Sequence, residues 1–168
     1  MLAGQVGLVR HSEHWVGKVV EWCTNSTSHH VVVFISETEC VSAEPPFVIV
    51  RDPASFHWLE VSRLDLTDAQ RERIVASAKT MVGRPYNVAA IFCLLMSRLF
   101  SVPIPRWVVQ WLERRPELDC SQLADIALMA GGLRLFGHDS VLVTPGFFEV
   151  YFRARGWLRE QNVTTTVY

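Results

Sequence analysis

Residues 29–35, His-His-Val-Val-Val-Phe-Ile, constrain the fold more than any other stretch of the chain. β-branched and aromatic side chains restrict the backbone to extended conformations and pack well on a pleated surface, so 31–35 is predicted as a central strand. The polar break Ser36-Glu37-Thr38-Glu39 follows it, and residues 40–43 form the next strand candidate. If the two strands make a hairpin with a three-residue loop over Ser36 to Thr38, His30 lies opposite Glu44. Such cross-strand neighbours are roughly 5 Å apart, within reach of an imidazole–carboxylate contact. A two- or four-residue loop would shift the partner by one, favouring His29 or turning Glu44 away.

Further strands are predicted at 6–9, 47–51 and 57–62, with a short helix over 14–22 between the 6–9 and 31–35 strands. The next helix has a written start, because Thr67 as N-cap and Gln70 three residues on make a capping box. Ile74, Val75, Ala78, Met81 and Val82 give it an apolar stripe, and Gly83 ends it. Helices are then predicted over 88–100, over 106–114 with two tryptophans, and from Ser121 to the Gly131-Gly132 pair, which leaves Cys120 at the helix N-terminus. Residues 141–143 read as a short strand, and Thr144-Pro145 opens a last helix through Phe147, Val150 and Tyr151. The pattern is α+β in a single domain spanning residues 1–168, with no repeat or linker.

The apolar run 88–96 falls short of the roughly 20 residues a membrane-spanning helix needs, so no transmembrane segment is expected. It reads as a buried helix, or as a greasy wall over an acyl-binding groove, since Phe100, Trp107 and Trp111 follow it. The N-terminal Met1-Leu2-Ala3-Gly4-Gln5 has neither a basic nor a sustained apolar region, so no export signal is expected and a cytoplasmic or virion-associated location is the default. With 16 Lys and Arg against 17 Asp and Glu, the net charge of -1 argues against a nucleic-acid partner. Oligomeric state is not legible.

Chemistry falls to the cysteines and histidines. Cys23, Cys40, Cys93 and Cys120 lack disulfide-framework or CxxC spacing, so free thiols are expected. His29, His30, Cys23, Cys40 and Cys120 could supply zinc ligands, but their spacing is not metal-like, and neither a metal nor a cofactor is expected. Cys120 falls at a helix start, where free N–H groups and the positive end of the dipole stabilise a thiolate, which makes it the candidate nucleophile. Such a nucleophile needs a base and a group to hold that base, and His30 with Glu44 supplies both. His11, His14, His57 and His138 read as surface or rim residues.

Gly83-Arg84-Pro85-Tyr86-Asn87 and Asp119-Cys120-Ser121-Gln122-Leu123 resemble the G-x-P-Y and D-C-S-x-L segments of NlpC/P60 cysteine hydrolases, which have a papain-like fold. In ordinary members the histidine strand follows the cysteine helix. Here the H-V-V-V-F-I run at 30–35 and the A-E-P at 43–45 precede it, the order of the circularly permuted branch. The resemblance runs from about Val6 to Gly146. It implies a papain-like antiparallel sheet packed against helices, with Cys120 as nucleophile, His30 as base and Glu44 as the residue orienting the imidazole. Tyr86 and His29 become candidates for binding substrate or the oxyanion.

The implied activity is an amidase or peptidase working through an acyl-enzyme on a peptide or acyl substrate. Cell-wall peptides are one substrate class, and a phage or cell-wall-associated assembly is one setting. Departures from the pattern bear on substrate: Val32 replaces the usual glycine, and Asn87-Val88-Ala89 replaces the W-G-G of peptidoglycan hydrolases. The alternatives are a lipid-ester hydrolase or acyltransferase on the same trio, and an inactive binding or structural component.

Overall fold

The computed structural model describes residues 1–11, 18, 21–22, 26–137 and 140–160. The helix expected over 14–22, Cys23, His14 and His138 lie wholly or largely outside them. The fold is α+β. Strands β1 (Val6–Arg10), β2 (Ser28–Phe34), β3 (Cys40–Ala43), β4 (Val48–Arg51), β5 (Leu59–Ser62) and β6 (Leu158–Glu160) form one antiparallel sheet in the order β4-β3-β2-β1-β5-β6. The helices are α1 (Asp68–Thr80), α2 (Val88–Phe100), α3 (Arg106–Glu113), α4 (Cys120–Ala130) and α5 (Pro145–Ala154).

The valine run sits at the middle of this sheet as β2, between β1 and β3. Alternation divides its side chains between two faces. Val31, Val33 and Ile35 join Val41, Ala43, Cys120, Leu123 and Phe148 in the main core, while Val32 and Phe34 pack with Cys40, Leu59 and Val61 on the reverse face. Both faces are covered, which is why a strand with no polar alternation is stable there. Gly7 of β1 faces Val32 across the ladder. A methyl at Gly7 would come within 2.8 Å of side-chain atoms of Leu59 and Val32, so glycine is what lets the reverse face close.

Two polar networks tie the sheet to its surroundings. Buried Gln5 accepts from the Leu64 N–H and the Ser62 hydroxyl, both at 2.8 Å, and donates to the Leu64 carbonyl at 2.9 Å, locking the chain entering β1 to the end of β5. At the other end, Glu149 of α5 accepts from Ser26 at 2.6 Å, Thr27 at 2.9 Å and Arg153 at 3.2 Å. Arg153 also reaches Glu60 of β5 at 3.0 Å, and Arg10 of β1 lies 3.5 Å from Glu60. The strand start carrying His29 and His30 is thus held to α5 and to two neighbouring strands.

The Thr67–Gln70 capping box opens α1 as expected, with reciprocal bonds of 3.3 and 3.0 Å. Residues 141–143 do not form the expected strand. Ser140–Leu142 is a turn of 3-10 helix whose buried Val141 packs with Ala90, Val109 and Leu112, and β propensity yields to that helical seat. The short β6 had no counterpart in the sequence reading.

Burial alone would raise the Glu149 carboxyl, but the hydrogen bonds from Ser26, Thr27 and Arg153 outweigh it and bring its pKa from 4.5 down to about 2. A depressed carboxylate contributes stability that is complete above pH 4.5 and lost as pH falls toward about 2. Glu149→Gln is expected to lower the melting temperature near neutral pH and to flatten its decline over that acid window, as read by scanning calorimetry. Gly7→Ala is expected to cost about 1–3 kcal/mol in urea unfolding, the range for overpacking.

Candidate active site

The β2–β3 hairpin has the register that a three-residue loop requires. Val32 pairs with Ser42, Val33 with Val41 and Phe34 with Cys40, and the Ile35 N–H bonds to the Glu39 carbonyl at 2.9 Å. Continued toward the strand start, this register sets His30 across from Glu44. Their nearest atoms, His30 Nε2 and Glu44 Oε1, are 3.9 Å apart.

Ser42 fills that gap. Its hydroxyl lies 2.6 Å from His30 Nε2 and donates to Glu44 Oε1 at 2.7 Å. The other Glu44 oxygen accepts from Arg51 Nη1 of β4 at 2.8 Å, and the Arg51 guanidinium lies 5.4 Å from the centroid of the Phe56 ring. The His30 ring packs against the same Phe56, with centroids 6.0 Å apart. Ser42 and Arg51 were missed by sequence reasoning, although strand alternation puts Ser42 on the face shared by His30 and Glu44.

Cys120 begins α4. Its N-cap Asp119 accepts from the Gln122 N–H at 2.8 Å, so the helix start is formed as its sequence requires. Cys120 is 5% exposed, and its sulfur lies 3.9 Å from the Ser121 hydroxyl and has the backbone N–H of Val31 directed at it. Val31 follows His30 directly, and a backbone nitrogen lies roughly 2.4 Å from the preceding Cα. The backbone that follows His30 thus lies against the thiol, whereas the His30 side chain, paired with Val9 and packed on Phe56, stands with Ser42 and Glu44 on the reverse face of the sheet, opposite the main core that holds Cys120. Among the described residues no hydrogen bond joins the sulfur to the His30 ring, whose Nε2 is held by Ser42.

His29 and Tyr86 take other places. His29 Nδ1 lies 3.2 Å from Glu21, and its ring stacks at 6.5 Å on that of His30. Tyr86 is half-buried against the main core, with its N–H bonded to the Pro46 carbonyl at 2.9 Å and its backbone bridged to Leu118. Burial first, and then the proximity of Cys120, Asp119 and Glu44, raises its phenol well above its ordinary value, keeping it a hydrogen-bond donor. Cys40, Cys93 and Cys120 are free thiols, and Cys40 lies on the reverse face of the sheet. His11 and His57 are exposed.

One electrostatic expectation is overturned. The helix start was expected to favour a thiolate, yet Cys120 is pushed up to about 12, first by burial and then by the neighbouring Asp119 carboxyl, against the Val31 and Ser121 amides. Burial lowers His30 to about 4, and the proximity of Glu44 recovers only part of that loss. Asp119 is itself raised to about 7 by burial. The resting site holds a neutral thiol and a neutral imidazole.

No protein-family model matches the chain, and no curated protein matches it.

Iodoacetamide labelling of Cys120 in the native protein is expected to be slow near neutrality and to rise roughly tenfold per pH unit through the mildly alkaline range, as a high-pKa thiol requires. Peptide mapping by mass spectrometry separates it from the other cysteines. A plateau at mildly acidic pH would instead mark a stabilised thiolate.

Proposed function

We propose that the chain is a cysteine hydrolase that cleaves an amide or ester through an acyl-enzyme, with Cys120 as nucleophile, His30 as base and Glu44 as the group that positions the base through Ser42. The observation that carries this reading is the convergence of two segments. The peptide leading from His30 to Val31 lies against the Cys120 sulfur, while Ser42 and Glu44 hold the ring's Nε2. Nδ1 is then the nitrogen outside that relay, and it takes the thiol proton once the ring turns from the reverse face of the sheet toward Cys120. A central antiparallel sheet with a cysteine helix after the histidine hairpin also matches what a circularly permuted NlpC/P60 domain of papain-like fold would have.

With both partners neutral at rest, proton transfer is uphill until the sulfur bonds to carbon. As the S–C bond forms, the carbonyl π electrons move to oxygen and His30 takes the thiol proton. The Cys120 N–H, outside the intrahelical pattern at the helix start, and the Tyr86 phenol are the donors for that oxyanion. His30 then protonates the leaving nitrogen or oxygen as its bond to carbon breaks. Water adds to the thioester, gives a proton to His30, and the acyl group departs as acid while the sulfur regains its proton. Glu44 stabilises the transient imidazolium, and Arg51 fixes Glu44.

A second reading, lipid-ester hydrolysis or acyl transfer by the same residues, is favoured by the apolar segment 88–115, which leaves and rejoins the site between Asn87 and Leu118. Clearing of purified cell walls supports the amidase, and release of nitrophenol from a long-chain ester without clearing supports the lipid enzyme. In whichever assay is positive, Cys120→Ala and His30→Ala are expected to lose about a thousandfold or more in kcat, and Glu44→Gln about ten- to a hundredfold. The acid limb of kcat/KM is expected near 4 rather than 6.5, because activity needs His30 neutral. No turnover in either assay, unchanged by Cys120→Ala, would assign the chain to a binding or structural role.

A further inference from the structure

We propose that the α2–α3 hairpin is a docking surface for the interface of an anionic lipid bilayer. α2 is apolar at every position except Ser97 and Arg98, yet Ala90 is its one buried residue. A helix apolar on all sides is stable only when something covers it. Val88, Phe92 and Leu99 fall within about 40° of one another around the helix axis and are all more than half exposed. Phe100 and Val102 continue the apolar surface through the turn, at 65% and 56% exposure.

The second helix behaves the same way. α3 turns Val109 and Leu112 inward onto Val141 and presents Trp107 and Trp111, one turn apart, outward. Trp107 is 72% exposed, and the Arg115 guanidinium stacks over Trp111 at 4.6 Å. Between the helices lies an apolar cavity of about 330 Å³, walled by Met96, Phe100, Ile104 and Val108 with Ser97 the lone hydroxyl-bearing residue. Those walls offer an acyl chain dispersion contacts and a polar ligand almost no partners.

Charge selects the occupant. Residues 88–115 carry Arg98, Arg106 and Arg114 against a single acidic residue, Glu113, while Arg115 is paired with Glu117 just beyond, in a chain whose net charge is -1. Arg98 and Arg106 flank the apolar tip, the place from which long cationic side chains reach lipid phosphates while the surface between them enters the acyl boundary. Exposed tryptophans beside arginines suit that depth. No helix among the described residues is long and apolar enough to cross a membrane, so the hairpin lies in the interface.

The docking stands apart from catalysis, although its neck adjoins the site. The Asn87 N–H bonds to the Leu118 carbonyl, and the Leu118 N–H to the Pro85 carbonyl, both at 3.0 Å. A docked hairpin would hold the start of α4 near the lipid surface.

Flotation of the full chain tests this, with phosphatidylcholine vesicles containing or lacking phosphatidylglycerol. The wild type and Cys120→Ala are expected to float equally well with the anionic vesicles and less well with the neutral ones. The double variant Phe92→Asp, Trp107→Asp is expected to lose about tenfold or more in bound fraction with an unchanged far-UV spectrum. Should it fold poorly, Arg98→Glu with Arg106→Glu is expected to remove the preference for anionic vesicles. A wild type that stays in the unbound fraction would overturn the proposal. So would variants that float undiminished, or a stable dimer that the aspartates convert to monomer.

Discussion

Backbone pairing of β2 with β3 is the constraint from which the candidate site follows. A one-residue slip would carry every side chain of β2 to the other face, placing His30 in the main core and Val31 beside Glu44. The slip is opposed from both sides, because Val31 and Val33 are buried against α4 and Val32 and Phe34 against Leu59 and Val61. Two apolar faces thus fix, through register, the position of a polar cluster to which they contribute no polar atom. The Glu149 network then holds the free end of β2, so the histidines do not sit on a frayed strand.

Burial has opposite effects on the fold and on the chemistry. The apolar environment that packs α4 onto β2 also removes water from the Cys120 sulfur and raises its pKa, against the direction in which a helix start acts. Desolvation exceeds the dipole because the partial charge of a helix terminus is worth of order 1 kcal/mol, whereas an uncompensated buried charge costs several. The same desolvation lowers His30, so thiol and imidazole are matched in being uncharged. Neither the thiol nor the imidazole stores charge at rest, and Glu44, tethered by Arg51, faces the His30 ring.

What the sequence disclosed was local. The capping box at Thr67, the helix start at Cys120, the apolar run of β2 and the odd-length loop were each readable because a few adjacent residues determine them. Pairwise register then extended that reading to His30 and Glu44. Ser42 escaped because no short motif marks a serine between a histidine and a glutamate, although alternation contained the information. The Arg10, Glu60, Glu149 and Arg153 cluster was beyond reach, since it joins β1, β5 and α5 from remote parts of the chain. The Cys120 shift was misjudged for a related reason: the depth of burial depends on what packs against a helix start.

The apolar hairpin follows from the same separation of local and distant causes. Helical propensity explains why 88–100 and 106–113 are helices, but propensity does not require their outer faces to be Phe92, Leu99, Trp107 and Trp111. The core does not require it either, because the hairpin's base is already anchored by Ala90, Val109, Leu112 and Val141 and closed at the neck by backbone bonds. Polar residues on those outer faces would leave every one of these contacts in place and reduce the exposed apolar surface. Large apolar side chains that neither helix formation nor core packing demands are explained by what they meet outside the fold, and their arginine flanks define the chemistry of that surface.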